Sequence, residues 1–329
     1  MMIWKEKPDM FVFDFFDGSS RELINSLAEY FDIDYEQLAT FLLKDEATAY
    51  SLIEQFKLDL NKPDSKNVQI TCRHMTTSNE EDIKSFRKRG VLDLRGMLQE
   101  DTPLSSFLAK HGIIVDVDNR IISINEKQYP IQSSSEDCTD CYIGSDLSCT
   151  GYSKCELNKQ ISFLHTKLYF YNATVEFFIH GTLKDMKNYS SISKYPEILL
   201  TIGNVLAAYR KSSLFDEKLG NEWQQRNKQC YVLQFNVNLQ DMETYAPMDY
   251  ERAYWEEKEL YDLAGYEYED YLLHSIPQNF YNNYYLLKVF CQCFYSESEK
   301  YGSLLPGKTV NPGGFKIYKI VDNSLKLLE

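Results

Sequence analysis

The hydrophobic period of this chain changes near residue 66, and that change limits what it can fold into. Before it, apolar residues recur every three or four positions: Leu23, Leu27 and Tyr30, then Leu38, Phe41 and Leu42, then Leu52, Ile53 and Phe56. Such spacing gives each of three helices one apolar stripe. Ser19 and Glu22 stand at capping-box spacing ahead of the first helix, and Asp34 can cap the second. The third is expected from about Asp45, and Asn61, Pro63 and Asp64 break the pattern. Phe11, Val12 and Phe13 read as a short strand in front. From Val68 the period becomes two, as in Val68-Gln69-Ile70-Thr71-Cys72, which is a strand.

Beyond that point both periods occur. Helices are expected over 82–89, closed by Gly90, over 101–110 behind Thr102 and Pro103, over 196–209 and over 250–263. Strands are expected over 113–117, 120–124, 161–171, 231–237, 271–274 and 315–321. Strands and helices do not alternate regularly, so the class is α+β. The expected organisation is a mainly helical N-terminal region, 1–66, and a larger α+β domain, 67–329, carrying a Cys-rich insertion at 132–158.

The 329 residues suffice for a sizeable core, and 43% hydrophobic with 26% charged residues argues against wholesale disorder. The formal net charge of −14 removes any fold-wide attraction to nucleic acid or anionic lipid. Lys84, Arg87, Lys88 and Arg89 form a local basic run, which equally suits a helix C-terminus. Leu27-Ala28-Glu29-Tyr30 and Gln37-Leu38-Ala39 have the layout of a helix-turn-helix. Its second helix carries Glu36 and Gln37 and no cation before Lys44, so packing or partner contact is expected instead of base reading. No run of about 18 apolar residues predicts a membrane span, and the N-terminus lacks the basic and apolar regions of a signal peptide. A cytoplasmic, reducing setting without membrane partners is the expectation.

In that setting Cys138, Cys141, Cys149 and Cys155 read as a candidate structural zinc site, four thiols with gaps of two, seven and five residues. Free thiols in a flexible insertion, or a disulfide or redox role, are the alternatives. Cys72, Cys230, Cys291 and Cys293 sit in apolar patterns and are expected to be buried thiols. The five histidines are scattered without a His-x-x-x-His pair, which disfavours a zinc hydrolase. Gly302 to Thr309 spells a phosphate-loop string, but Pro312-Gly313-Gly314 and a strand follow where a helix is required. It reads as a turn.

Three segments could carry chemistry. Arg73-His74-Met75-Thr76-Thr77-Ser78 leaves a strand and precedes Ile83, Phe86, Gly90 and Leu92. His165 through Leu168 to Tyr169, Phe170 and Tyr171 is an aromatic run, which ordinary core packing also explains. Glu269-Asp270-Tyr271-Leu272-Leu273-His274-Ser275-Ile276-Pro277 places a carboxylate ahead of a short apolar strand, with Glu257, Glu259 and Glu267 as rivals. In this order, over about residues 68–290, they resemble the motifs of ADP-ribosyltransferases of the His-Tyr-Glu group. That group includes poly(ADP-ribose) polymerases, RNA 2′-phosphotransferases and DNA-targeting toxins. The chain departs from polymerase-like members at Met75, where they have glycine, and in a long insertion between the first two motifs.

The resemblance implies a split β-sheet domain that uses NAD. It implies that His74 and Thr76, with Ser78 or Thr77 nearby, hold the adenosine ribose and the nicotinamide amide, and that Tyr169 or Tyr171 stacks on nicotinamide. It further implies that Glu269 supports cleavage of the glycosidic bond. The acceptor would be a macromolecule, with the acidic balance favouring protein over nucleic acid. The alternative is an inactive interaction protein on the same fold.

Overall fold

The computed structural model describes residues 8–44, 46–132, 152–170, 173–188, 192–212, 217–226, 229–244, 258–266 and 276–328. The chain opens with β1 (Phe11–Phe13), α1 (Ser20–Phe31), α2 (Tyr35–Lys44) and α3 (Ala49–Phe56). The Ser19–Glu22 capping box closes on α1, and the Asp34 carboxylate accepts from the Gln37 amide at 3.0 Å. Helix α3 starts four residues later than expected, at Ala49, where the Thr48 side chain accepts from the Ser51 amide. β2 (Val68–Ser78) continues six residues past Cys72 and is followed by α4 (Glu80–Arg89), α5 (Leu94–Gln99) and α6 (Pro103–Lys110). Next come β3 (Ile113–Asp116), β4 (Ile121–Ile124), β5 (Lys127–Pro130), α7 (Tyr152–His165), β6 (Glu176–His180), α8 (Leu183–Asn188), α9 (Ile198–Arg210) and α10 (Lys218–Gln225). The chain closes with β7 (Gln229–Asn238), β8 (Met242–Thr244), α11 (Gln278–Phe294), β9 (Lys300–Leu304), β10 (Phe315–Val321) and β11 (Ser324–Leu328). Residues 258–263 are also helical. The architecture is α+β, with antiparallel pairing in all but one of the registers described below.

Two compact units are present. The first comprises Met1–Arg73, Glu176–Asp185 and Phe235–Ser303, so the three N-terminal helices share it with later segments. In it β1 runs parallel to β2, Phe11 opposite Val68, and β6 is antiparallel to β2 with Arg73 opposite Phe178. β9 pairs with β6, and β8 lies beside β9. Helix α11 packs on α3, and the Phe290 ring meets Phe15 edge-on at 6.3 Å. Among the described residues, buried aromatics carry much of this core, including Phe13, Phe177, Phe235 and Phe290.

The second unit comprises His74–Val175, Met186–Gln234 and Leu304–Glu329. Its β3–β4–β5 sheet is an antiparallel meander covered by α5 and α6. Helix α7 packs on α9, which also contacts α10. One apolar cluster joins Phe107, Ile113, Ile122, Leu164, Ile202, Val205 and Trp223. The β10–β11 hairpin lies beside β7.

The expected strand over 161–171 is corrected: residues to His165 belong to α7, and Thr166–Phe170 forms a π-helical turn. The buried residues Leu157, Ile161, Leu164 and Leu168 recur every three or four positions, the helical period. The aromatic run at the end of this segment imitates a strand, but the buried stripe it belongs to reaches back along the helix to Leu157. The expected strand 271–274, and residues 250–257 of the expected helix, lie outside the described residues. No helix among the described residues is long and apolar enough to cross a membrane.

Candidate functional site

The end of β2 and the C-terminal half of α4 form a cleft wholly within the second unit. It is lined by Thr76, Thr77 and Ser78 from β2, and Ser85, Phe86 and Arg89 from α4. Met97, Thr102, Pro196 and Trp223 complete the walls. About 20 Å³ of the cleft is open to a water-sized molecule, so a ligand enters only if the walls part.

Local rules place each group. Asn79 caps α4, its side chain accepting from the Asp82 amide at 2.8 Å. The helix ends at Gly90, whose φ of 86° lies in the glycine region. The next residue, Val91, exchanges backbone hydrogen bonds with Val310 at 2.9 and 3.2 Å, which fixes the cleft rim. Trp223 reaches the cleft from α10, and its indole N–H donates to the Thr77 hydroxyl at 3.1 Å. Thr77 is thereby committed to holding the aromatic wall. Thr102 is similarly engaged, donating to the Met97 carbonyl at 2.6 Å.

Thr76 and Ser78 make no side-chain hydrogen bond to other described residues, so their hydroxyls are available to a ligand. The Arg89 guanidinium donates to Ser85 Oγ at 2.7 Å and lies 3.6 Å from Glu100 and 4.0 Å from Asp101. Both acids are at least half exposed or nearly so, and such pairs contribute little. Arg89 can therefore turn toward an anion. Two aromatic walls, two available hydroxyls and one cation suit a flat polar ring attached to a hydroxylated, anionic tail.

The residues expected to form the site fall as follows. Thr76 and Ser78 line the cleft. His74 lies two residues earlier on β2, on the same strand face by alternation, half-buried and outside the lining. Tyr169 is in the second unit but not in the lining. Its hydroxyl donates to the Val117 carbonyl at 2.7 Å from the π-helical turn. Tyr171, Glu269, Glu257 and Glu267 lie outside the described residues, and Glu259 is on the 258–263 helix. Cys138, Cys141 and Cys149 also lie outside them. Cys155 is on α7, with its side chain outside the description. Sequence reasoning missed Phe86, Arg89 and Trp223 as lining residues. Arg89 was visible only as part of a basic run, and nothing local marks Trp223, 146 residues from its partner Thr77.

The core thiols form a separate group. Cys72, Cys291 and Cys293 are buried and Cys230 is partly so. Burial pushes the Cys230 and Cys291 thiols up to about 12 and raises those of Cys72 and Cys293. They stay protonated at pH 8, whereas an unfolded thiol begins to ionise there. We expect an aromatic disulfide reagent at pH 8 to spare these four in the native chain and label them in denaturant, read by mass spectrometry of the peptides. Native labelling of Cys72 would contradict this. Raised folded values also mean that the stability held by neutral thiols is present below about pH 9 and declines as pH rises toward 12.

No family model matches this chain, nor does any curated protein or solved structure.

Proposed function

We propose that the chain is an NAD-dependent ADP-ribosyltransferase acting on a macromolecular acceptor, protein in preference to nucleic acid. One observation carries the reading. Thr76 and Ser78, singled out by the motif order, line one cleft with two aromatic walls and an arginine. In this reading their hydroxyls hold the polar edges of NAD, Phe86 and Trp223 exclude water from the nicotinamide half, and Arg89 draws the phosphates. The glycosidic bond to nicotinamide breaks, an acceptor nucleophile takes the ribose carbon and releases its proton, and Glu269 stabilises the cationic sugar between the two events.

Nicotinamide release by the purified chain tests this. Wild type should turn NAD over, and Glu269→Gln should lower the rate by about 100-fold, the usual cost of losing a group that stabilises developing charge. Ser78→Ala should raise KM more than it lowers kcat. No release together with no NAD-dependent thermal shift sinks the proposal.

A second reading, a binding protein on the same fold, is favoured by the placement of Tyr169. Its hydroxyl is committed to Val117, and its ring does not line the cleft. A thermal shift with NAD but no turnover would select it.

A further inference from the structure

We propose that β11 is an acceptor edge for an extended acidic segment of a partner protein, which joins the sheet as one more strand. β11 pairs with β10 and with no other strand among the described residues. The N–H and C=O groups along its outer edge are therefore open to a further ladder. The hairpin lies wholly in the second unit. It also keeps apolar surface in solvent, since Leu327 is 51% exposed and Val321 37%.

The register sets Lys319 directly opposite Lys326. Like charges in that position destabilise a strand pair. Neither lysine has an ion pair among the described residues. From Phe315 to Leu328 the hairpin carries Lys316, Lys319 and Lys326 against one acid, Asp322 at the turn, in a chain of net charge −14. A strand added to β11 places one residue beside Lys326, and a carboxylate there offsets the repulsion. The two residues flanking it fall on the other face, beside Leu325 and Leu327, which Ile320 and Tyr318 back from β10. The edge thus matches an acidic residue between two apolar ones.

An edge lysine commonly guards a sheet against pairing. Here its effect is selective. A second copy of β11 in full overlap, parallel or antiparallel, sets Lys326 against Lys326 with Lys319 alongside. That repels a second copy, while the exposed Leu327 still rewards a strand of opposite charge.

Fluorescence anisotropy of a labelled, end-capped peptide of alternating glutamate and valine, titrated with the full chain, tests this. At about 0.15 M salt a screening length of about 8 Å mutes distant charges. Wild type should bind the peptide saturably. Lys326→Glu should weaken binding by roughly 10-fold or more, the effect of setting like charges together at a contact. Circular dichroism should show that variant folded and melting above wild type, because Lys319 then faces a carboxylate. A fully N-methylated peptide keeps its charges but has no backbone N–H to donate, and it should not bind. Equal binding of the N-methylated peptide would reduce the effect to charge alone and overturn the proposal. Wild-type affinity in Lys326→Glu, or no saturable binding of the parent peptide, would overturn it too. Wild-type dimers that Leu327→Lys abolishes, seen by sedimentation, would assign the edge to a second copy instead. No step uses NAD, so the result is independent of the transferase reading.

Discussion

Replacing Gly90 by alanine should lower the stability of the second unit by about 3 kcal/mol or more, the range of a strained backbone combined with a clash. Two causes add. At φ 86° and ψ −164°, Gly90 occupies a region essentially closed to residues with a β-carbon. A β-carbon built there would also meet the Val310 carbonyl oxygen at 2.0 Å and the Asn311 carbonyl carbon at 3.1 Å. Both neighbours are backbone, so neither can rotate away. Relief requires opening the Val91–Val310 bridge, which forms the rim of the cleft. Gly307 supplies the control. Its φ is 78°, yet nothing lies within 4 Å of an added β-carbon. Gly307→Ala should cost only about 1 kcal/mol, the conformational part alone. Urea unfolding followed by circular dichroism would separate the two variants. Equal midpoints would mean that the bridge yields easily and that the rim is soft.

In the first unit, Asn283→Ala should cost about 3 kcal/mol, because it strands two buried groups at about 1–3 kcal/mol each. Asn283 is fully buried on α11. Its carbonyl oxygen accepts from the Tyr30 hydroxyl at 2.6 Å, and its amide donates to the carbonyls of Leu60 at 2.8 Å and Pro63 at 2.9 Å. Pro63 keeps a second donor, Asn279 at 2.8 Å, so the loss falls on Tyr30 and Leu60. Burial, followed by the nearby Asp64 charge, holds the Tyr30 hydroxyl well above its ordinary range, so it remains a proton donor. Tyr30→Phe alone should cost about 1 kcal/mol, and the double variant should cost less than the sum, since the stranded hydroxyl is gone. Strict additivity in the denaturant midpoints would show that Tyr30 and Asn283 do not act as a pair.

How far the sequence could be read depended on where each element finds its partners. Helices α1 to α4 were legible because their caps and stripes are local: Ser19 with Glu22, Asp34, and Gly90 all act within one turn. The expected strand 161–171 failed because an aromatic run outweighed the three-to-four spacing of Leu157, Ile161, Leu164 and Leu168. Helix α11 was missed for a related reason. It has no side-chain cap, and Asn282 and Asn283 interrupt its apolar pattern although both are buried. Their burial is tolerable only because the Ser65 hydroxyl and the carbonyls of Leu60 and Pro63 meet them, and those lie more than two hundred residues earlier.

The candidate site divides in the same way. By itself the sequence determined the α+β class, the strand that opens at Val68, the helix behind it and the glycine that closes that helix, but not that the strand runs on to carry Thr76 and Ser78. Each follows from spacing or from one residue's backbone freedom, which distant contacts do not alter. Only the tertiary structure decided that Trp223 would wall the cleft, that Thr77 would hold it, and that Tyr169 would turn to Val117 with two arginines near its ring. Those outcomes depend on which distant surfaces bury each other, and burial forces every indole N–H and hydroxyl to find a partner wherever the fold supplies one.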